Sequence, residues 1–144
     1  MKTHLHLGSR DLERSVAFYR TLLDVEPVKR KPDYALFVVD EPGIELALRS
    51  DGGSQVPEST HYGIAADSPQ AVDQADHRLR AAGYLTHVER DETCCYATQS
   101  KVWASDPDGR RWETYFVIAE SDDDQDGDCC SAAAPEAAQD AACC

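Results

Sequence analysis

The hydrophobic pattern of the first 50 residues predicts a strand, a helix and three further strands. Residues 3–9 alternate, with His4 and His6 on one face and leucines on the other. Asp11 is a suitable N-cap for a helix that ends near residue 23. Its apolar stripe comprises Leu12, Val16, Tyr19, Leu22 and Leu23. The strand-like runs that follow are Glu26–Lys29, Tyr34–Val39 and Ile44–Arg49.

The same order of elements recurs after a polar loop at residues 50–60. A strand at residues 61–66 leads into Ser68-Pro69, which is a helix cap followed by proline at the first helical position, and Gly83 ends that helix. Further strands are predicted at Leu85–Glu89, Lys101–Ser105 and Trp112–Ile118, with Asp106-Pro107-Asp108-Gly109 as the last turn. The pattern therefore predicts an α+β fold of two βαβββ units, at about residues 1–50 and 61–118.

The last 26 residues differ in composition from the rest of the chain. Residues 119–144 are rich in Asp, Ala and Gln and lack an apolar stripe, which predicts a disordered tail after a domain at residues 1–118. The tail holds eight acidic and no basic residues, so much of the net charge of −13 lies there. Residues 1–118 carry 19 acidic against 14 basic residues and no basic stripe, which argues against nucleic acid binding.

The chain has no run near the roughly 20 apolar residues that a membrane span requires. Its N-terminus has no apolar signal region and begins directly with a strand pattern. We therefore expect a cytoplasmic protein without a membrane partner.

All cysteines of the chain occur as adjacent pairs, namely Cys94-Cys95, Cys129-Cys130 and Cys143-Cys144. Neighbouring Cα atoms lie about 3.8 Å apart, whereas a relaxed disulfide needs roughly 4.4–6.8 Å. Each pair is therefore predicted to be a reduced dithiol. Cys94 and Cys95 lie in a polar, loop-like stretch at Asp91–Ala97, which suits buried apolar packing poorly. Two adjacent thiolates can chelate one soft metal or metalloid atom.

Four potential metal ligands come from strands far apart in the sequence. His4 opens the first unit and His61 opens the second, 57 residues later, while Glu45 and Glu113 lie on the last strands of the two units. A histidine or glutamate on a strand is more often an ordinary solvated residue than a ligand. The repeat favours the ligand interpretation, because pseudo-two-fold symmetry would bring equivalent strands to a shared centre.

Motifs along residues 3–118 resemble those of the vicinal oxygen chelate superfamily, which includes glyoxalase I, extradiol dioxygenases and bleomycin-resistance proteins. They are His4-x2-Leu7-x3-Asp11-Leu12-x2-Ser15-x2-Phe18-Tyr19, then His61-x-Gly63, then Asp106-Pro107-Asp108-Gly109 with Trp112-Glu113. The resemblance implies a cupped mixed sheet around a metal held by His4, His61 and Glu113. Two imidazoles and one carboxylate with open positions suit non-haem Fe(II). Glu45 stands where some members supply a fourth ligand.

A second set of motifs is more specific. Cys94-Cys95-Tyr96-Ala97, Lys101-Val102-Trp103 and the final Trp112-Glu113 resemble the branch of organoarsenical C–As lyases and cadmium-induced proteins. That branch implies oxygen-dependent cleavage of the carbon–arsenic bond in trivalent methyl- or aryl-arsenicals, with Fe(II) as cofactor and O2 as co-substrate. Cys94 and Cys95 would bind the arsenic, and Glu113 would be a catalytic metal ligand. Tyr96, Lys101 and Trp103 are either pocket residues or ordinary strand residues.

Two other functions remain open at this point. One is a non-catalytic protein that binds cadmium or another soft metal through its thiols, and the other is an extradiol dioxygenase or glyoxalase-like enzyme in which the cysteines are incidental. The sequence also leaves open whether the two units close the site within a monomer or between the copies of a homodimer. The tail pairs are either thiol scavengers or dispensable.

Overall fold

The computed structural model describes residues 2–53, 60–94 and 97–120. The first unit consists of β1 (Thr3–Ser9), α1 (Leu12–Leu23), β2 (Lys29–Lys31), β3 (Tyr34–Val39) and β4 (Ile44–Ser50). The second consists of β5 (His61–Ala65), α2 (Pro69–Ala81), β6 (Thr86–Cys94), β7 (Ala97–Ser105) and β8 (Arg111–Glu120). The predicted α+β class with two βαβββ units is confirmed. The predicted tail lies outside the described residues, apart from residues 119 and 120, which extend β8.

Each unit forms its own mixed sheet of four strands. The strand order is β1-β4-β3-β2 in the first sheet and β5-β8-β7-β6 in the second. In both sheets the first strand of the unit pairs in parallel with the last, and the other pairings are antiparallel. The equivalence of the two units therefore extends to their hydrogen-bonded neighbours, and the parallel pair of each unit carries one predicted imidazole and one carboxylate.

Both helices begin where the sequence predicts. The side chain of Asp11 accepts a hydrogen bond from the backbone N–H of Arg14, at 3.1 Å, and Ser68 accepts one from Ala71, at 3.2 Å. The buried face of α1 consists of Leu12, Ser15, Phe18, Tyr19 and Leu22, and that of α2 of Val72, Ala75 and Leu79. Each helix thus covers one face of its sheet. No helix in the described part of the chain is long and apolar enough to cross a membrane.

The last turn of the second unit docks on the first unit. Tyr19 donates a hydrogen bond from its hydroxyl to Asp106 Oδ2, at 2.6 Å, and Arg110 donates to the same oxygen, at 2.9 Å. Arg110 also donates to the carbonyl of Gly8, at 2.6 Å. Trp112 donates from its indole N–H to the Tyr19 hydroxyl, at 3.2 Å, and packs in a core cluster shared by both units. These buried contacts join the units.

The sequence-based prediction was wrong for the stretch Asp91–Ala97, which was expected to be a loop. The structure places residues up to Cys94 in β6 and begins β7 at Ala97. The polar residues of this stretch do not show the hydrophobic alternation of a strand. Its end nevertheless pairs with β7, and the hydroxyls of Thr93 and Thr98 lie 2.9 Å apart across the two strands. A register shift between Glu89 and Glu92 adds a further irregularity that hydrophobic alternation does not reveal. The predicted strand at residues 26–29 is likewise shifted to residues 29–31.

Candidate metal and thiol site

Helix α2 packs on one face of the second sheet, and the opposite face carries several charged side chains. Val102 is buried in a cluster with Val72 and Ala75 of α2. Because neighbouring strand residues point to opposite faces, the residues flanking Val102 face the other way. We define the open face by the side chains of His61, His87, Glu89, Lys101, Trp103, Arg111, Glu113 and Tyr115, which occupy these alternate positions on the four strands. Several of these side chains, including Glu89 and Glu113, are buried, and a buried charge requires a partner or a bound cation.

His61 and Glu113, two of the three predicted metal ligands, lie together on this face. Nε2 of His61 is 3.6 Å from Oε1 of Glu113. Gly63 lies directly across from Glu113 in the parallel pair, and a Cβ at Gly63 would stand 3.0 Å from the same oxygen. The glycine of the His61-x-Gly63 motif therefore leaves room for the carboxylate to reach across β5 to the imidazole.

The second oxygen of Glu113 is available for a further bond. The side chain is 11% exposed, and Oε2 is buried without a hydrogen-bond donor among the described residues, although Lys101 Nζ lies 3.5 Å from it. A buried carboxylate oxygen normally accepts at least one hydrogen bond. An imidazole nitrogen beside a carboxylate whose other oxygen lacks a hydrogen bond is the donor chemistry that a divalent transition metal prefers, so this pair fits a metal ion.

His4 and Glu45 form the equivalent pair of the first unit. They face each other across β1 and β4, and His4 Nδ1 lies 3.7 Å from Glu45 Oε2. Within the described residues of one chain, however, no group of three or more His, Cys, Asp and Glu side chains is placed to hold a metal ion. The structure thus assembles two pairs, and it does not bring His4 into a single cluster with His61 and Glu113.

The predicted substrate-binding thiols fall at the edge of the described residues. Cys95 lies outside them, and of Cys94 the structure describes only the backbone, which pairs with Ala97 at the end of β6. Ala97 precedes Trp103 on β7 by six residues, and Trp103 pairs with Glu113. At 3.3–3.4 Å per residue, a straight strand would separate these two rows by about 20 Å.

Two irregularities lie between the row of Cys94 and the row of Glu113. The pairing of β6 with β7 shifts register between Glu89 and Glu92, and that of β7 with β8 shifts between Thr98 and Gln99. Asp91, inside the first irregularity, has a left-handed backbone with φ of 54°. Bulges bend a strand and increase its twist, so these shifts favour a bend in β6 and β7 between the two rows.

Sequence reasoning did not include Glu89 among the candidate site residues, and it left Trp103 and Lys101 undecided. Glu89 accepts a hydrogen bond from Trp103 Nε1, at 3.1 Å, and burial raises the pKa of its carboxyl above the ordinary value. Trp103 also contacts His61, with ring centroids 5.3 Å apart. The alternation of side chains along a strand could have indicated these residues. It places Glu89, Lys101 and Trp103 on one face once the registers of β6, β7 and β8 are known.

Comparison with known proteins agrees with the fold and the motifs. Residues 3–114 match the model of the Glyoxalase/Bleomycin resistance protein/Dioxygenase superfamily. The chain is 40% identical over 121 residues to cadmium-induced protein CadI of Mycobacterium tuberculosis, covering 84% of this chain and 79% of that protein. It is 42% identical over 118 residues to a trivalent organoarsenical cleaving enzyme of Bacillus sp. strain MD1, covering 79% and 71% respectively.

A solved structure gives the same result for the fold. The crystal structure of a glyoxalase/bleomycin resistance protein/dioxygenase from Alicyclobacillus acidocaldarius has a TM-score of 0.64 at 21% identity, covering 82% of this chain and 92% of that one. The protein therefore belongs to the glyoxalase/bleomycin resistance/dioxygenase superfamily. Its resemblance to the branch of cadmium-induced and organoarsenical-cleaving proteins, inferred from the cysteine motif, is confirmed by these relatives.

Proposed function

We propose that this protein is an Fe(II)-dependent dioxygenase that cleaves the carbon–arsenic bond of trivalent organoarsenicals and releases arsenite. The observation that carries the proposal is the pair of His61 and Glu113, whose buried carboxylate oxygen lacks a hydrogen bond within the described part of the chain. The vicinal thiols of Cys94 and Cys95 add an affinity for arsenic that an iron site alone lacks. Relatives named as trivalent organoarsenical cleaving enzymes, at 34–42% identity, support the same substrate class.

The metal ligands of this proposal are His4, His61 and Glu113. Two imidazole nitrogens and one carboxylate leave positions open for other ligands, and Fe(II) in such a set supplies the ability to activate O2. Glu113 would hold the metal through its carboxylate, of which Oε2 lacks a hydrogen bond among the described residues and Oε1 occupies the space that Gly63 leaves. Lys101, 3.5 Å from Glu113, balances the negative charge of the buried carboxylate.

We further propose that two copies of the chain complete each site. One chain holds His4 beside Glu45 and His61 beside Glu113, without a cluster of three in its described residues. The His4 side chain is more than half exposed, so it is accessible to a second chain. A symmetric dimer would place His4 of each copy against the pair of the other and form two equivalent sites.

Substrate binding is assigned to Cys94 and Cys95. Two sulfur ligands would fix the arsenic atom and turn its encounter with the metal centre into a defined geometry. Because the rows of Cys94 and Glu113 are separated along the sheet, the proposal requires β6 and β7 to bend toward the open face. The register shifts at Glu89/Glu92 and Thr98/Gln99 lie where such a bend is needed.

A second candidate function is binding of cadmium without catalysis. The observation that favours it is the 40% identity to a protein named cadmium-induced. In that case the thiols would sequester the soft ion, and His61 with Glu113 would have no role in turnover. Such a protein would bind Cd(II) through its cysteines and consume no oxygen in the presence of a methylarsenical.

The experiment that tests the proposal is anaerobic reconstitution with Fe(II), followed by addition of methylarsonous acid and air. The atoms of methylarsonous acid and one dioxygen balance as formaldehyde and arsenous acid, so the two products are expected in equal amounts. Arsenic speciation by chromatography and a formaldehyde assay measure them. If the Fe(II) protein releases no more arsenite than the metal-free protein, the proposed activity is wrong.

A further inference from the structure

Trp103 occupies the centre of the open face and contacts a predicted metal ligand. It lies on β7, with Glu113 opposite on β8 and His87 opposite on β6. The ring of Trp103 meets the imidazole of His61 edge to face, with centroids 5.3 Å apart and planes inclined by 73°. Aromatic pairs at this distance prefer this relative orientation, so the indole restricts the rotation of the imidazole.

Glu89 holds the other side of the indole. Its Oε1 accepts the hydrogen bond from Trp103 Nε1, at 3.1 Å, and its side chain is 5% exposed. The remaining oxygen, Oε2, is buried without a hydrogen bond among the described residues. Burying a carboxylate is costly, and an apolar residue at this strand position would fill the space at lower cost. A role in orienting the indole accounts for an acid here.

Two cations also lie over the indole ring. The guanidinium of Arg111 lies 4.5 Å from the ring centroid of Trp103, and Nζ of Lys101 lies 5.7 Å from it. Both distances allow attraction between a cation and the aromatic face. The hydrogen bond to Glu89 and the two cations over the ring therefore fix the position of the Trp103 indole. The indole in turn contacts His61 through an edge-to-face ring contact.

We propose that Trp103 is a positioning residue that orients the His61 imidazole for metal binding, and that Glu89 holds Trp103 in that position. This inference rests on the proposed function in taking His61 as a metal ligand. Residues that orient a ligand from outside the coordination sphere contribute to metal affinity because they reduce the number of ligand conformations that bind metal poorly. The chain Glu89–Trp103–His61 has this form and spans β6, β7 and β5.

The test compares five variants of the full-length protein with the wild type by titration with Co(II), followed by the visible absorption of the bound metal. Trp103→Leu removes the aromatic contact and is expected to weaken Co(II) binding about tenfold or more and to change the absorption band. Glu89→Leu removes the acceptor and is expected to act in the same direction. Glu89→Gln keeps an acceptor oxygen and should bind Co(II) like the wild type.

His87→Ala is the matched control, because His87 faces Trp103 from β6 and lies 3.6 Å from Glu89 but makes no ring contact with His61 among the described residues. It should leave Co(II) binding unchanged. Thermal unfolding of each variant separates lost affinity from lost fold. Unchanged affinity and absorption in a folded Trp103→Leu protein would overturn the inference while leaving the proposed function intact.

A measurement without metal distinguishes the two possible failures. If the wild type binds no Co(II), or if His61→Ala binds it equally well, the proposed metal site fails. NMR of the metal-free protein then still tests the contact, because the ring protons of His61 are expected to lose the ring-current shift from Trp103 in Trp103→Leu and to keep it in His87→Ala. An unchanged His61 shift in Trp103→Leu would refute the positioning role directly.

Discussion

Gly63 lies directly across the parallel strand pair from Glu113, and a Cβ at Gly63 would come within 3.0 Å of the Glu113 carboxylate. The same Cβ would also stand 3.0 Å from Tyr115 Cε1. The absence of a side chain at Gly63 therefore leaves the space in which the Glu113 carboxylate lies. It points across β5 toward His61 because nothing on that strand obstructs it.

Gly63→Ala is accordingly expected to weaken metal binding while leaving the sheet intact. The added methyl group displaces the Glu113 carboxylate from His61, and misplacing a ligand costs about tenfold or more in metal affinity. Co(II) titration measures the loss. Ala65→Gly, on the same face of β5, should bind metal like the wild type. Wild-type affinity in a folded Gly63→Ala protein would contradict the assigned role of the glycine.

The thiols are expected to bind arsenic independently of the iron. Cys94→Ser and Cys95→Ser should each lose most of the affinity for a trivalent arsenical, since one sulfur cannot chelate, but should retain Fe(II). Isothermal titration calorimetry with phenylarsonous acid measures the loss. The matched control changes Cys129 and Cys130 to Ser, which removes another adjacent pair. If the Cys129/Cys130 variant loses as much affinity as the Cys94→Ser and Cys95→Ser variants, the assignment of arsenic binding to Cys94 and Cys95 is wrong.

The contact between the two units is expected to weaken in acid. Burial alone would raise the pKa of Asp108, but hydrogen bonds from Arg10 and the charge of Arg110 outweigh it and hold this pKa below its ordinary value of 3.8. The stabilisation of the fold by ionised Asp108 is therefore present above pH 3.8. It is lost as the pH falls toward the lower pKa that Asp108 has in the folded protein.

Asp108→Asn should remove that part of the pH dependence and should lower the free energy of unfolding at neutral pH by about 1–3 kcal/mol. Thermal unfolding from about pH 7 down to pH 2.5 measures both effects. Asp40→Asn is the control, because Asp40 pairs with Lys2 on the surface and should change stability little. An Asp108→Asn protein that loses stability in acid exactly as the wild type does would refute the role of Asp108.

Much of the fold follows from local patterns. The stripe of Leu12, Tyr19 and Leu22 predicted α1, and the caps at Asp11 and Ser68 marked where both helices begin. These predictions succeeded because periodicity and capping depend on residues close in sequence. The end of β6 near Cys94 was missed, because its pairing with β7 depends on cross-strand partners and a bulge that alternation alone cannot reveal.

The site was only partly predictable for a similar reason. The repeat indicated His61 and Glu113, which one sheet brings together, and it equally indicated His4 and Glu45. It could not indicate whether the two pairs meet within one chain, because that depends on how one unit packs on the other through Tyr19, Asp106 and Arg110. Contacts between residues far apart in the sequence produce no periodic pattern of hydrophobic and polar positions from which they could be predicted.

The most direct test of the whole account mixes two inactive variants, His4→Ala and Glu113→Ala, by co-expression or by refolding together. If each site joins His4 of one copy to His61 and Glu113 of the other, a hybrid dimer carries one intact site and one doubly altered site. A random mixture should then release arsenite from methylarsonous acid at about a quarter of the wild-type rate. Neither variant alone should release arsenite. No recovery in a mixture shown by mass spectrometry to contain hybrid dimers, with an active wild type alongside, would contradict the account.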